Sequence, residues 1–305
     1  MTTRRAMVCA LVFVVAAFTM PATHAQRPTF SSRADLVFVD ATVLNRNNPV
    51  ANLQAADFLL TDSGIPQRVT SFAIESVPVD VTLFIDSSGS TAGRLTAMKR
   101  DVAALVTLLR PDDRYRLITI DDVVRVMTPW SGPNDAPNLS FQPIGGISLV
   151  YDAIAAAIVH RPTAGRRHLV IAMTDGEDGG SVIPGGLLDD LVAHGDTVLH
   201  IVEQTNDVRG SMTYRPRVFF MEGRPNGLKR LGETARRTGG DTHGVGWSRN
   251  SVLDSFTRIF DEFRQSYVLR FAPEGVPKGG WHPLTVTVRN RKDVTVRARP
   301  GYFAE

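Results

Sequence analysis

Cysteine is all but absent: the 305 residues hold one, Cys9, within the first ten positions. Without a pair there is no disulfide, and past residue 25 there is no thiol for catalysis and no cysteine–zinc site. An excess of either charge is also lacking. Lys and Arg number 34 against 31 Asp and Glu, and leaving out Arg4 and Arg5 with the first 25 residues brings this to 32 against 31. So even a balance carries no electrostatic footprint for nucleic acid or for an anionic membrane surface. No segment after residue 25 stays apolar for the roughly 18 residues a transmembrane helix needs. No Gly-x-Gly-x-x-Gly follows the first central strand and no Gly-x-Ser-x-Gly occurs, which argues against a dinucleotide fold and a serine hydrolase. The histidines show no ligand spacing: His160, His168, His194 and His200 read as structural or surface residues, and His243 and His282 fall in Gly-rich loops.

What is present begins with an export signal. Arg4-Arg5 precede an apolar stretch, Ala6 to Phe18, and Thr23-His24-Ala25 places small residues before Gln26. This is the pattern of a cleaved signal peptide over 1–25, and it predicts a periplasmic or extracellular product. An uncleaved N-terminal anchor is the competing reading. Residues 26–34 read as a disordered leader.

Residues 35–78 turn to β patterning. Leu36 to Leu44 is one strand, Leu53 to Phe58 suits a helical turn, and Phe58-Leu59-Leu60-Thr61 is a second strand. Asp62-Ser63-Gly64 then makes a hairpin turn, with Gln67 to Ile74 as the return strand. From 79 to 265 strands and helices alternate. The strands are Val81–Asp86, Tyr115–Asp121, Val123–Met127, His168–Thr174 and Thr197–Val202; the helices are Ala92–Leu109, Leu149–His160, Ile183–Ala193, Gly227–Thr238 and Ser251–Gln265. Strands apolar throughout, interleaved with helices, predict an α/β fold: a doubly wound, mostly parallel, Rossmann-like sheet covered on both faces. Residues 266–305 return to β, at Tyr267–Phe271, Leu284–Val288 and Val294–Arg297. Too short to bury a core alone, this tail is expected to pair with the N-terminal strands in one small sandwich-like accessory module.

The chemistry concentrates where the central strands end. Val81-Thr82-Leu83-Phe84-Ile85 runs directly into Asp86-Ser87-Ser88-Gly89-Ser90, which sets a carboxylate and two hydroxyls at alternate positions. In doubly wound sheets ligands sit beyond the carboxyl ends of the strands. The strand His168–Met173 leads there into Thr174-Asp175-Gly176, and Gly145-Gly146-Ile147-Ser148 brings a further hydroxyl to the start of a helix. Two carboxylates and three hydroxyls suit a hard divalent cation, Mg²⁺ before Mn²⁺ or Ca²⁺, with one coordination position left open.

Asp86-x-Ser88-x-Ser90, Ser148 and Asp175 resemble, residue by residue, the metal-ion-dependent adhesion site (MIDAS) of von Willebrand factor type A (vWA) domains. The family usually carries Thr where this chain has Ser148. The flanks, among them Asp57-Phe58, Gly64-Ile65-Pro66-Gln67 and Arg297-Ala298-Arg299-Pro300-Gly301-Tyr302-Phe303, look like the exported VWFA-related domain of Acidobacterial-type proteins. The resemblance runs from about residue 35 to 303. It implies a vWA fold, metal ligands at Asp86, Ser88, Ser90, Ser148 and Asp175, no catalysis, and adhesion through an Asp or Glu of a protein ligand.

Plainer readings compete with each feature. Asp86 and the serines could be N-caps of the next helix, although that leaves Asp175 unexplained. Ser148 could be a cap alone, Glu177-Asp178 a solvated acidic loop, and Asp121-Asp122 turn residues. Trp130, Trp247 and Trp281 fall in expected loops. The long polar connection 204–226, after the fifth strand, is a candidate specificity loop. Two further functions stay in play: a Mg²⁺-dependent hydrolase working from Asp86 and Asp175, and a metal-free structural subunit of an envelope assembly.

Overall fold

The computed structural model describes residues 36–73, 77–142, 147–159, 165–204, 227–244 and 251–304. The expected signal peptide, the leader, Gly145-Gly146, His160, Trp247 and residues 205–226 lie outside them. Among the described residues the strands are β1 (Val37–Asn45), β2 (Asn48–Pro49), β3 (Phe58–Asp62), β4 (Ile65–Gln67), β5 (Ser71–Ala73), β6 (Val79–Asp86), β7 (Arg114–Ile120), β8 (Val124–Ser131), β9 (Arg167–Thr174), β10 (Val198–Glu203), β11 (Thr242–Gly244), β12 (Tyr267–Phe271), β13 (Gly280–Val288), β14 (Thr295–Ala298) and β15 (Gly301–Ala304). The helices are α1 (Leu95–Val106), α2 (Val150–Val159), α3 (Gly185–His194), α4 (Gly227–Arg237) and α5 (Ser251–Arg264). None of them is long and apolar enough to cross a membrane.

The central sheet has the order β11-β10-β9-β6-β7-β8. All neighbours are parallel except β8, which folds back antiparallel on β7. Side chains alternate across a strand, and β6 shows it. Val79, Val81, Leu83 and Ile85 pack towards α1 and α5, while Phe84 packs against α2, α3 and α4. Every residue of β6 and β9 is buried, as expected of inner strands covered on both faces.

The first and last described strands build a second layer, of two antiparallel sheets. β12 and β14 flank β1 antiparallel, and β13 pairs with β3 and β15. Their inner faces share one core, with Val39, Phe58, Leu60, Tyr267, Leu269 and Phe271 buried in it. This layer meets the amino ends of the parallel strands. Arg167, first in β9, donates to Asp40 of β1, and Arg299 donates to Asp196 (2.8 Å) and the Ala193 carbonyl (2.8 Å) just before β10.

Several details depart from the sequence reading. The return strand expected over 67–74 is split: β4 pairs with β3, but β5 joins β12 in the other sheet. The Gln67 amide explains the crossing, since it both donates to and accepts from the backbone of Glu274 at 2.9 Å. The helix expected from Ala92 starts as a 3-10 segment, Gly89–Arg94, before α1. Strands β11 and β15 lie outside the expected elements, and β11 places His243 on a strand rather than in a loop. His282 likewise lies in β13 and Trp130 in β8, and Trp281 also belongs to β13.

Candidate metal centre

At the carboxyl end of β6 the chain must turn sharply. Both the backbone N–H (2.7 Å) and the hydroxyl (2.9 Å) of Ser87 donate to the Ile120 carbonyl, tying the turn to the end of β7. Ser88 donates its backbone N–H to Asp86 Oδ1 at 3.1 Å, and the Thr91 hydroxyl lies 2.7 Å from the Asp86 carbonyl and 3.0 Å from that of Ser88. The 3-10 segment that follows has no side-chain cap, so Asp86 and Ser88 are not there to cap it. Ser88 and Ser90 instead hold their hydroxyls 3.1 Å apart.

Two further loops converge on the same carboxylate. Ser148 donates its hydroxyl to Asp86 Oδ1 at 3.3 Å, and Thr174 donates to Oδ2 at 2.9 Å. The Ser148 hydroxyl therefore points at Asp86, while the first amides of α2 are satisfied elsewhere. Tyr151 N–H reaches Asp178 Oδ1 (3.3 Å) and Ser181 Oγ (3.1 Å), and Asp152 N–H reaches Ser181 Oγ (3.2 Å). Asp178 is accordingly a buried helix-capping residue and not part of a solvated acidic loop. Asp152 in turn accepts from Val182 (3.0 Å) and Ile183 (2.9 Å), which fixes the loop carrying Asp175.

Asp175 follows Thr174 on the solvent side, partly exposed, and accepts the Glu177 N–H at 3.1 Å. The turn depends on Gly176, which has φ +80° and where a Cβ would sit 2.7 Å from Leu228. Thr174, which the sequence places in the second oxygen loop but not among the expected ligands, is the residue whose hydroxyl reaches Asp86 from the end of β9. Asp121, at the end of β7, is a buried turn residue that accepts the Val123 N–H at 2.9 Å and is paired with Arg125.

The site is graded from floor to rim. Asp86 and Thr174 are fully buried, Ser88 and Ser148 nearly so, and Ser90 is exposed. Ile147, beside Ser148, adds a half-exposed apolar side chain to the rim. Burial holds the Asp86 carboxyl above its ordinary pKa and the charge of Asp175 pushes the same way, while the bonds from Ser88 and Thr174 oppose both. A buried carboxylate beside a second carboxylate is an uncompensated negative site. Its donors are all carboxylate and hydroxyl oxygens, which fit a hard divalent cation and not a soft one. Among the described residues no group of three or more His, Cys, Asp or Glu could hold a metal, so any cation here depends on the hydroxyls.

No family model matches the sequence, and no curated protein is similar to it. Several solved structures share features of the fold. One is an aerotolerance-related membrane protein from Bacteroides fragilis, at 17% identity over 61% of this chain and 99% of that one, with a TM-score of 0.43. Another is the conserved hypothetical protein BatB from Bacteroides thetaiotaomicron, at 18% identity over 60% of this chain and 98% of that one, TM-score 0.44. A third is a von Willebrand factor type A protein from Catenulispora acidiphila, at 12% identity over 90% of this chain and 75% of that one, TM-score 0.48. Strand order and loop placement give the described chain a doubly wound α/β fold resembling the von Willebrand factor type A domain, with an antiparallel β layer added.

Proposed function

We propose that this chain is an exported, metal-dependent protein-binding module. Asp86, Ser88, Ser90, Ser148 and Asp175 would hold a divalent cation, Mg²⁺ in the first place, whose open position takes an Asp or Glu carboxylate of a protein partner. The observation that carries this reading is the convergence of two loop hydroxyls, from Ser148 and Thr174, on the buried carboxylate of Asp86. A cation there relieves the unfavourable burial of negative charge. Neutral hydroxyl ligands leave its own charge incompletely offset and therefore attractive to an external carboxylate. The half-exposed Ile147 supplies apolar contact beside that anchor. Export rests on the pattern of the first 25 residues.

Calorimetric titration of Mg²⁺ and Mn²⁺ into the wild type and Asp86→Ala is the direct test. Binding by the wild type alone supports the module, and identical heats for the two proteins would sink the metal claim in favour of a metal-free structural subunit. Turnover of a phosphoester panel that vanished in Asp175→Ala would favour a Mg²⁺-dependent hydrolase instead.

A further inference from the structure

A second opening lies at the amino ends of the parallel strands, the opposite end of the sheet from the oxygen loops. It is a cavity of about 200 Å³ whose charged walls are Arg110, Arg167 and Arg264 against Asp112 and Asp113. That volume admits several waters or one small ligand. One of the two carboxylates is already committed. Asp113 accepts the backbone N–H of Val79 (2.9 Å) and of Arg110 (2.8 Å), and Nη2 of Arg264 (2.8 Å).

The two inner arginines are built in, with side chains only 8% (Arg167) and 14% (Arg264) exposed. Arg167 Nη2 donates to Asp40 and to Ser266 Oγ (2.6 Å); Arg264 Nη2 donates to the Leu108 carbonyl (3.0 Å) and to Asp113. The Nε of both is buried without a hydrogen-bond partner among the described residues. Aromatic rings fix the guanidinium planes: Phe263 lies 3.8 Å from Arg167 and Phe260 4.9 Å from Arg264. Buried cationic donors left unmade are costly, and a rigid, partly unused guanidinium matches an oxyanion with little entropy to lose.

We propose that this cavity binds a small oxyanion, a carboxylate or phosphate group held between Arg167 and Arg264. The test is thermal unfolding of the metal-free protein in sodium acetate, sodium phosphate and sodium chloride at matched ionic strength. Acetate or phosphate raises the midpoint above chloride in the wild type, and equally in Asp86→Asn, because the oxygen site takes no part. A larger shift with phosphate assigns a phosphate ligand and a larger one with acetate a carboxylate. Phosphate also stabilises proteins by exclusion from their surface, so the deciding quantity is the difference between wild type and variant. Arg167→Lys keeps a cation for Asp40 but loses the fork, and weakens the oxyanion effect about tenfold. Arg110→Gln, exposed at the mouth, leaves the buried pairs intact and gives a second variant in which the effect shrinks. Equal midpoints in all three salts, or a shift that survives in both variants, would mean that the cavity holds only water.

Discussion

Asp86 is the residue on which the oxygen site turns. Its carboxyl is held above the ordinary value of 3.8, by burial first and by Asp175 besides, so the folded protein binds the proton more readily than the unfolded chain. The ionised form therefore subtracts stability at neutral pH, and the subtraction lessens as pH falls towards the raised pKa. Asp86→Asn, which keeps the acceptor oxygen and removes the charge, is expected to melt above the wild type in the absence of cation and to show no Mg²⁺ binding by calorimetry. A lower melting point for that variant would mean that the carboxylate is satisfied by its hydroxyl partners alone. Ser148 invites the complementary experiment. Ser148→Ala should weaken the cation about tenfold, in line with losing a supporting group at a metal site, and Ser148→Thr should bind at least as well as the wild type. That Ser148 and Asp86 come together could be expected from the sequence, because one closes an apolar strand and the other opens a helix at the same edge of the sheet. The part of Thr174 could not, since a threonine closing an apolar strand has the same pattern whether its hydroxyl faces a ligand or the core.

At the scale of elements, legibility followed hydrophobic content. β6, β9 and β10 are apolar runs and could be read directly, whereas β11 is Thr242-His243-Gly244, with no apolar residue to mark it. That edge strand makes a pH-sensitive contact. His243 Nε2 lies 2.9 Å from Nδ1 of His200 on β10. Burial lowers His243 from 6.5 to about 4, helped by Arg297 and Arg258 and opposed by Asp241. Burial, then His243 and Arg297, lower His200 well below 6.5. Unfolded histidines take up protons below 6.5 while these stay neutral in the fold, so the sign is opposite to that of a paired histidine. Their contribution is complete above pH 6.5 and is lost as pH falls towards 4, by up to about 1.4 kcal/mol per pH unit for each ring. Denaturant melts across that range should show the decline in the wild type and a shallower one in His243→Gln. An unchanged slope would mean that the pair does not govern acid stability.

For the described molecule the decisive feature is that its first and last strands share one core between two antiparallel sheets. A buried cluster fastens it. Asp62 of β3 accepts from the Tyr302 hydroxyl of β15 at 2.8 Å and lies 2.9 Å from Nδ1 of His282 on β13. Burial, with Asp62 as the next cause, raises the Tyr302 pKa. Removing the carboxylate strands both partners in the interior at about 1–3 kcal/mol each, so Asp62→Ala should cost about 2–6 kcal/mol. Tyr302→Phe, which leaves the carboxylate with fewer donors, should cost about 1–3 kcal/mol. Urea unfolding followed through the tryptophans would measure both, and a change under about 0.5 kcal/mol, ordinary for a surface site, would remove the cluster from this role. The pairing of the tail with the N-terminal strands was legible because the tail is too short to bury a core alone. The cluster was not, since Asp62 reads as a turn residue and His282 as part of a Gly-rich loop.

The docking of that layer at the amino ends of the sheet has a mechanical meaning. Under the proposed function, a pull between a partner at Asp86 and the β layer would run lengthwise along β6, which is paired on one side with β7 and on the other with β9. Load along a strand's axis strains its rungs together rather than peeling them one after another. The strand that ends in the oxygen site is thus also the one best placed to carry tension through the molecule.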